Sequence, residues 1–307
     1  MFAGCRFSLS TPVPRSLYGL TSIAQRAPCP RMTSGQVHLH SAASDGMIRP
    51  EMLVGLDFAA LTDHDTFAGL AAFQSAATQI IPGIEVSVIH AGCKFHVVIL
   101  EPQPALGFFT LLSDLKKQRE RKVKAFLEEM SGHGFQLSAF PFCWPGINKR
   151  WLLEQLLGDS LNQDQVRRLG LQGPKDFKRR FVPFAVDFTP DGVELGQVRE
   201  SCGGIFILAH PGASLDLKLP ENVARIEDLC QTFSFHGIEA LTRRHSGTDA
   251  ACAAEIARKL DLVAITTNDV HSPDDIWHNR TPQAQLDALY ERGNQVRADW
   301  SILLHEN

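Results

Sequence analysis

The sequence predicts an α/β fold in which a mainly parallel sheet is covered by helices and closes better as a barrel of seven units than as an open sheet. Two observations lead there. From Val37 onward short apolar runs alternate with helix-like stretches, the rhythm of parallel strands joined by helical crossovers. Nearly every apolar run also ends in His, Asp or Glu. In a parallel barrel the C-terminal strand ends converge on one face, where active sites lie.

The expected strands are 37–40, 58–62, 80–88, 95–100, 204–209, 237–241 and 262–267, each a short run rich in apolar residues. Helical stretches are expected over 49–55, 67–77, 106–131, 195–201, 222–232 and 248–260. The strand-to-strand spans 47–58 and 67–80 look short, so two barrel helices are expected to be trimmed. The barrel is assigned residues 36–100 and 203–280, with a C-terminal helix and tail over 281–307.

Between them, residues 101–202 break the rhythm and read as a helical insertion capping one end of the barrel. Lys116, Lys117, Arg119, Arg121, Lys122 and Lys124 crowd its first helix, a pattern usual for a solvated face. A helix over 151–157 follows. A second basic cluster, Lys175, Lys178, Arg179 and Arg180 beside Phe177 and Phe181, is the better candidate for gripping phosphate. Trp151 and Phe177 are read as core of the insertion, with stacking on a base as the alternative.

With 307 residues the chain is long enough for a full core. A net charge of -4 excludes an overall nucleic-acid footprint, so any nucleic acid must meet a local patch. Seven scattered cysteines with no Cys-x-x-Cys pair point to reduced thiols in a cytoplasmic compartment. No apolar run is long enough to span a bilayer. Residues 1–35 hold four arginines, no acid, and many Ser and Pro. They read as a disordered or spurious leader, or else as an organelle transit peptide.

The chemistry begins at Thr62-Asp63-His64-Asp65-Thr66, which ends the run Phe58–Leu61. Two carboxylates flanking an imidazole are costly to bury unless a cation or a hydrogen-bond network offsets them. His38 and His40 are two apart on a strand and so share a face. Asp45 follows in a Ser-Asp-Gly turn. Glu85, His96, His210, Asp269 and His271 accompany the later strands. Nitrogen and oxygen donors of this kind suit Zn, Mn or Fe, and together they imply a multinuclear metal site. Asp63 and Asp65 would crowd a set already holding His64, and are expected to orient imidazoles by accepting their second N–H.

His38-x-His40, Ser44-Asp45-Gly46, Leu61-Thr62-Asp63-His64-Asp65-Thr66, Gly83-Ile84-Glu85-Val86-Ser87, Ala209-His210-Pro211 and Asn268-Asp269-x-His271 together resemble the PHP (polymerase and histidinol phosphatase) family. The likeness spans nearly all of the chain after the leader. It implies a distorted seven-stranded (β/α) TIM-like barrel with a mainly helical insertion and three divalent ions. It places His38, His40, Glu85 and Asp269 on one ion, Asp45, His64 and His210 on a second, and Glu85, His96 and His271 on a third. Catalysis would fall to His210, His271 and Asp269.

Within the family the motifs look most like the branch of nucleoside 3',5'-bisphosphate phosphatases and 5'-to-3' exonucleases of short RNA. The resemblance therefore implies metal-assisted hydrolysis of a phosphomonoester or terminal phosphodiester, without a covalent phosphoenzyme. The alternatives are a histidinol-phosphate-type phosphatase and a catalytically silent PHP module that binds a partner. Where the branch shows Thr-Arg-x-His, this chain reads Asn148-Lys149-Arg150-Trp151. Lys149, Arg150, Arg179, Arg180, Arg243 and His245 are the candidate contacts to a small phosphorylated substrate.

Overall fold

Each expected strand has a counterpart in the computed structural model, which describes residues 33–74, 76–136, 149–181 and 189–293, together with residue 303. The expected leader lies outside the described residues except for its last three positions. Strands β1 (Ser34–Leu39), β2 (Phe58–Leu61), β3 (Gln79–His90), β4 (Cys93–Pro104), β5 (Val193–Glu194), β6 (Cys202–Ala209), β7 (Gly237–Leu241), β8 (Val263–Thr266) and β9 (Thr281–Pro282) form one sheet. Its order is β8-β7-β6-β4-β3-β2-β1-β9, with β5 pairing off the path on β3. The two-residue strands β5 and β9 are additions, so the sheet departs from the expected count of seven.

The sheet curls until its ends nearly meet. The His40 N–H donates to the Val270 carbonyl at 2.9 Å and the Val270 N–H to the His38 carbonyl at 3.0 Å. These bonds join β1 to the segment after β8 and leave a mixed α/β, nearly closed barrel.

Strand–helix alternation fails at one place. β3 and β4 form an antiparallel hairpin, and β4 is antiparallel to β6 as well. Ala91 and Gly92, the two residues between the strands, both have positive φ, 47° and 74°. Such a turn matches the right-handed twist of a hairpin. Because β4 runs backwards, its donor His96 stands near its start, on the rim where the parallel strands end.

The helices follow in order: α1 (Leu70–Phe73), α2 (Leu106–Gly132), α3 (Lys149–Gly158), α4 (Gln163–Leu169), α5 (Pro174–Arg180), α6 (Leu195–Ser201), α7 (Pro211–Ser214), α8 (Pro220–Thr232), α9 (Gly247–Leu260) and α10 (Gln283–Arg292). The stretch expected as helix over 49–55 is one 3-10 turn, Pro50–Leu53, and that over 67–77 is the single turn of α1.

Alternation along the strands divides the core. Val97, Ile99, Phe206, Leu208 and Ile238 pack with residues of α2, α6, α8 and α9 such as Leu112, Val198, Leu229 and Ile256. Val98, Leu100, Ile205, Ile207 and Ala209 pack with Leu286 and Leu289 of α10. His96, Val98 and Leu100 alternate along β4, so His96 belongs to this second face. A third apolar cluster, with Val123, Phe126, Phe135, Leu152, Phe177 and Phe181, holds α2, α3 and α5 together. Phe177 is therefore core.

Candidate metal centre

Strand register brings nine donors to one rim. The shared period puts His38 and His40 together, and an isolated parallel bridge sets His64 beside Glu85. Asp45 is delivered by the turn after β1. That turn needs Gly46, where a Cβ would lie 2.0 Å from the His40 carbonyl oxygen. His210 (φ 26°) and Asp269 (φ 50°) both hold left-handed backbone, strain of the kind that collects at functional sites.

Glu85 is the hub. Its Oε2 lies 3.0 Å from His38 Nε2, 3.2 Å from His40 Nε2 and 3.1 Å from His64 Nδ1. Its Oε1 lies 3.0 Å from both His96 Nδ1 and His210 Nε2. Asp269 Oδ1 is 3.3 Å from His40 Nε2 and from His271 Nδ1. His271 Nε2 is 3.2 Å from Asp45. Glu85 and Asp269 are buried, while Asp45 is one-third exposed, so the cluster opens at Asp45.

Eight of these nine side chains present a buried nitrogen or oxygen with no hydrogen-bond partner among the described residues: His38 Nε2, His40 Nε2, Asp45 Oδ1, His64 Nδ1, Glu85 Oε2, His96 Nδ1, His210 Nδ1 and Asp269 Oδ1. Buried polar atoms are normally paired, and facing donor atoms about 3 Å apart are relieved when a proton or a shared cation sits between them. Three donor sets with ligand atoms within 4.8 Å of one another could hold them: His38, Glu85, His210 and Asp269; His40, Asp45, His64 and His271; and His64, Glu85 and His96. The two oxygens of Glu85 allow it to serve two sets. A neutral imidazole has one lone pair, so His64 serves one.

The electrostatics agree. Burial opposes ionisation of Asp45, Glu85 and Asp269, yet the facing imidazoles outweigh it and hold all three below the usual carboxylate range. Burial pulls the imidazoles down, but Glu85 and its neighbours outweigh it at His38 and His96, which are raised. At His40, Asp269 and Glu85 hold the value up at about 9. Burial wins at His64, which is pushed well down. A field that pulls protons onto buried imidazoles also draws divalent cations.

Drawn by distance, the sets put His210 with His38, Glu85 and Asp269, and His271 with His40, Asp45 and His64. His40 Nε2 also stands 3.2 Å from Glu85 and 3.3 Å from Asp269, the company the resemblance implies for it. Pairing of Val270 with β1 sets the His271 ring 4.3 Å from that of His40.

Asp63 and Asp65 do not accept from the imidazoles. Asp63 accepts from the Ser41 N–H at 2.7 Å, Ser41 Oγ at 2.6 Å and Ser44 Oγ at 2.7 Å. Asp65 accepts from the Ser87 N–H at 2.8 Å and from Arg119 at 2.9 Å. Neighbours in an extended strand point to opposite faces, so with His64 turned to the cluster its flanking acids turn away and pin the loops.

His245 is also corrected. Its Nδ1–H donates to the Ala240 carbonyl at 2.9 Å and its Nε2 accepts from the Gly212 N–H at 3.0 Å, leaving no ring nitrogen for phosphate. Arg243 donates to Asp275 at 2.6 Å, and its Nη2 lies 3.0 Å from His271 Nδ1. Arg179 is exposed and paired with Asp176 at 3.1 Å. Arg180 lines a cavity of about 760 Å³ with His133, Gln165 and Arg168, none of them a cluster donor. The side chains of Lys149, Arg150 and Trp151 lie outside those described.

Two residues at the cluster escape the sequence reading. Arg244 donates through Nε to Asp269 Oδ2 at 2.5 Å. Glu239, the one acid in the apolar strand β7, lies 2.6 Å from His38 Nδ1. That lone acid was the available signal.

A nearly closed α/β barrel with converging imidazoles and carboxylates on one rim defines a metal-dependent hydrolase. No protein-family model matches the chain. It is 30% identical over 261 residues to a 3',5'-nucleoside bisphosphate phosphatase of Chromobacterium violaceum, covering 79% of this chain and 88% of that protein. It is 26% identical over 266 residues to the 5'-3' exoribonuclease Rnm of Salmonella typhimurium, covering 77% and 85%. The crystal structure of a metal-dependent phosphoesterase from Bifidobacterium adolescentis superposes with a TM-score of 0.62 at 19% identity over 87% of this chain and 97% of that one, a likeness of fold alone. The chain belongs to the PHP family of metal-dependent phosphoesterases, in the branch of the bisphosphate phosphatases and 5'-3' exoribonucleases. It is an enzyme that hydrolyses phosphate esters. No helix among the described residues is long and apolar enough to cross a membrane.

Proposed function

We propose that this enzyme hydrolyses a phosphomonoester or terminal phosphodiester of a nucleotide, either a 3',5'-bisphosphate nucleotide or the 5' end of a short RNA. The named activities of its relatives support the substrate class. The carrying observation is the convergence of nine imidazole and carboxylate side chains on one rim, eight of which carry a buried nitrogen or oxygen without a hydrogen-bond partner among the described residues. We assign them to divalent ions, up to three, of Mn, Zn or Fe type. The scattered cysteines, with no Cys-x-x-Cys pair, support a cytoplasmic setting.

Bound divalent ions would supply charge to the phosphoryl oxygens and acidify water at the site. The chain's own residues do the rest. Glu85 and Asp269 keep the interior anionic and the donors in register. Arg244, 43% exposed and paired only through Nε among the described residues, can give its outer nitrogens to a phosphate oxygen while steadying Asp269. Ser41 and Ser44 have their hydroxyls committed to Asp63, which favours water over either serine as the nucleophile. The helices between β4 and β6 are read as a cap. Their separate apolar cluster and the bond from Arg119 to Asp65 support this.

The test is turnover of pAp, short 5'-phosphorylated RNA, histidinol phosphate and bis-p-nitrophenyl phosphate by manganese-loaded protein, with and without chelator. Chelator-sensitive turnover of pAp or the RNA is expected. Hydrolysis of histidinol phosphate with both nucleotide substrates inert would overturn the substrate class.

A further inference from the structure

Strand β7 brings no donor to the three sets, yet it carries a carboxylate that is 1% exposed, Glu239. The two oxygens of that carboxylate have different duties. Oε1 lies 2.6 Å from His38 Nδ1, and Oε2 accepts from the backbone N–H of His210 at 2.8 Å. His38 and His210 both belong to the set with Glu85 and Asp269, and to neither of the others.

We propose that Glu239 is a positioning residue dedicated to that single ion site, an inference that rests on the metal-dependent reading above. A carboxylate facing Nδ1 holds the proton there and leaves the lone pair of His38 on Nε2. Nε2 is the atom that lies 3.0 Å from Glu85 and 3.5 Å from Asp269. The bond to the His210 N–H acts on the second ligand through its backbone. His210 sits at φ 26° and ψ 59°, a conformation costly for a residue with a Cβ. Pinning its buried N–H fixes where the imidazole leaves the chain.

The geometry requires two acceptors at once, because both partners donate. A carboxylate supplies two. Glutamine supplies one, and its NH2 would face an N–H. Aspartate is one methylene shorter and cannot span both partners from the same backbone. Neither near-isostere replaces Glu239, and both leave the other two donor sets with all their residues.

The experiment titrates metal-free wild type, E239Q and E239D with Mn(II), reading stoichiometry and affinity by calorimetry and metal content by mass spectrometry. Circular dichroism and thermal unfolding report the fold. Both variants are expected to lose one equivalent, or to bind it about 10–100-fold more weakly, while the remaining equivalents stay within a few-fold of wild type. Wild-type stoichiometry and affinity in both variants would overturn the inference. So would equal weakening of every site in a folded variant, which would make Glu239 a general packing residue. Should the variants fail to fold, wild type with 15N-labelled histidine and bound 113Cd decides. His38 must keep its proton on Nδ1 and couple to cadmium through Nε2, and coupling through Nδ1 refutes the proposal. Wild type that binds no Mn(II) would overturn the metal reading and this inference with it. Binding by wild type with unchanged variants would overturn this inference alone.

Discussion

Arg119 of α2 donates through Nη2 to Asp65 Oδ2 at 2.9 Å, with side chains 8% and 1% exposed. Asp65 also accepts from the N–H and hydroxyl of Ser87, two residues past Glu85. One carboxylate thus ties α2, β3 and the loop after His64 together, and so sets the spacing between His64 and Glu85. The helix reads in sequence as a solvated basic face. Lys117 and Lys124 are indeed exposed, but Arg119 faces inward.

Removing the arginine leaves a buried carboxylate without its cation. R119A is expected to lower stability by about 3–5 kcal/mol, the usual cost of breaking a buried pair from one side. R119M combined with D65N should cost less than the two single changes added together. Urea unfolding of all the variants measures this, and additive costs would mean that the two residues are not coupled.

Chelation should abolish turnover and also soften the fold. Ions that bind only the native state add stability by mass action, about 2.7 kcal/mol for each site at a metal concentration 100 times its Kd. Thermal unfolding is expected to shift down after exhaustive chelation and to recover when Mn(II) is restored. An unchanged transition would show that the donors are satisfied without metal.

Glu85 approaches five imidazoles and serves two donor sets, whereas His96 serves one. E85Q is expected to reduce kcat/KM by two or more orders of magnitude, about 3 kcal/mol or more of transition-state stabilisation. H96A should lose less. Steady-state kinetics at saturating Mn(II) ranks them, and the reverse order would remove Glu85 from its place as hub.

Arg244 should show itself in substrate binding. R244Q is expected to raise KM and to weaken inhibition by inorganic phosphate about 10-fold or more, the value of a hydrogen bond to a charged group. Metal content should stay near wild type. If phosphate inhibition is unaltered, the guanidinium does not touch the phosphate.

His236 provides a pH test away from the centre. Its Nδ1 accepts from the Phe206 N–H at 3.0 Å, and burial, then the Arg199 charge, push the imidazole below its ordinary value of 6.5. The unfolded chain therefore takes up this proton first as pH falls. The stabilisation is present above pH 6.5 and is lost as pH drops below it toward the folded value. H236Q should lose less stability than wild type between pH 7.5 and pH 5.5 in urea unfolding. Equal losses would rule out this linkage.

The sequence by itself determined the strands and their chemical tips. Alternation of side chains and the length of apolar runs are local properties. They sufficed to mark His38, His40, Asp45, His64, Glu85, His96, His210, Asp269 and His271 as candidates for one rim. Gly46, pressed on the His40 carbonyl, is equally local, since the Ser-Asp-Gly turn cannot close around a side chain.

Only the tertiary structure decided how those donors divide. His210 and His271 come within reach of His38 and His40 because pairing of Val270 with β1 and the reversed β4 are long-range events that no window of sequence contains. Asp63 and Asp65 face away from the imidazoles for the same reason, since their partners Ser41, Ser44, Ser87 and Arg119 arrive from other segments. Glu239 read as one acid in an apolar strand until β7 settled beside β6 and set it between His38 and His210. A buried charge takes its meaning from the groups that surround it, and packing across the barrel, rather than neighbours along the chain, supplies them.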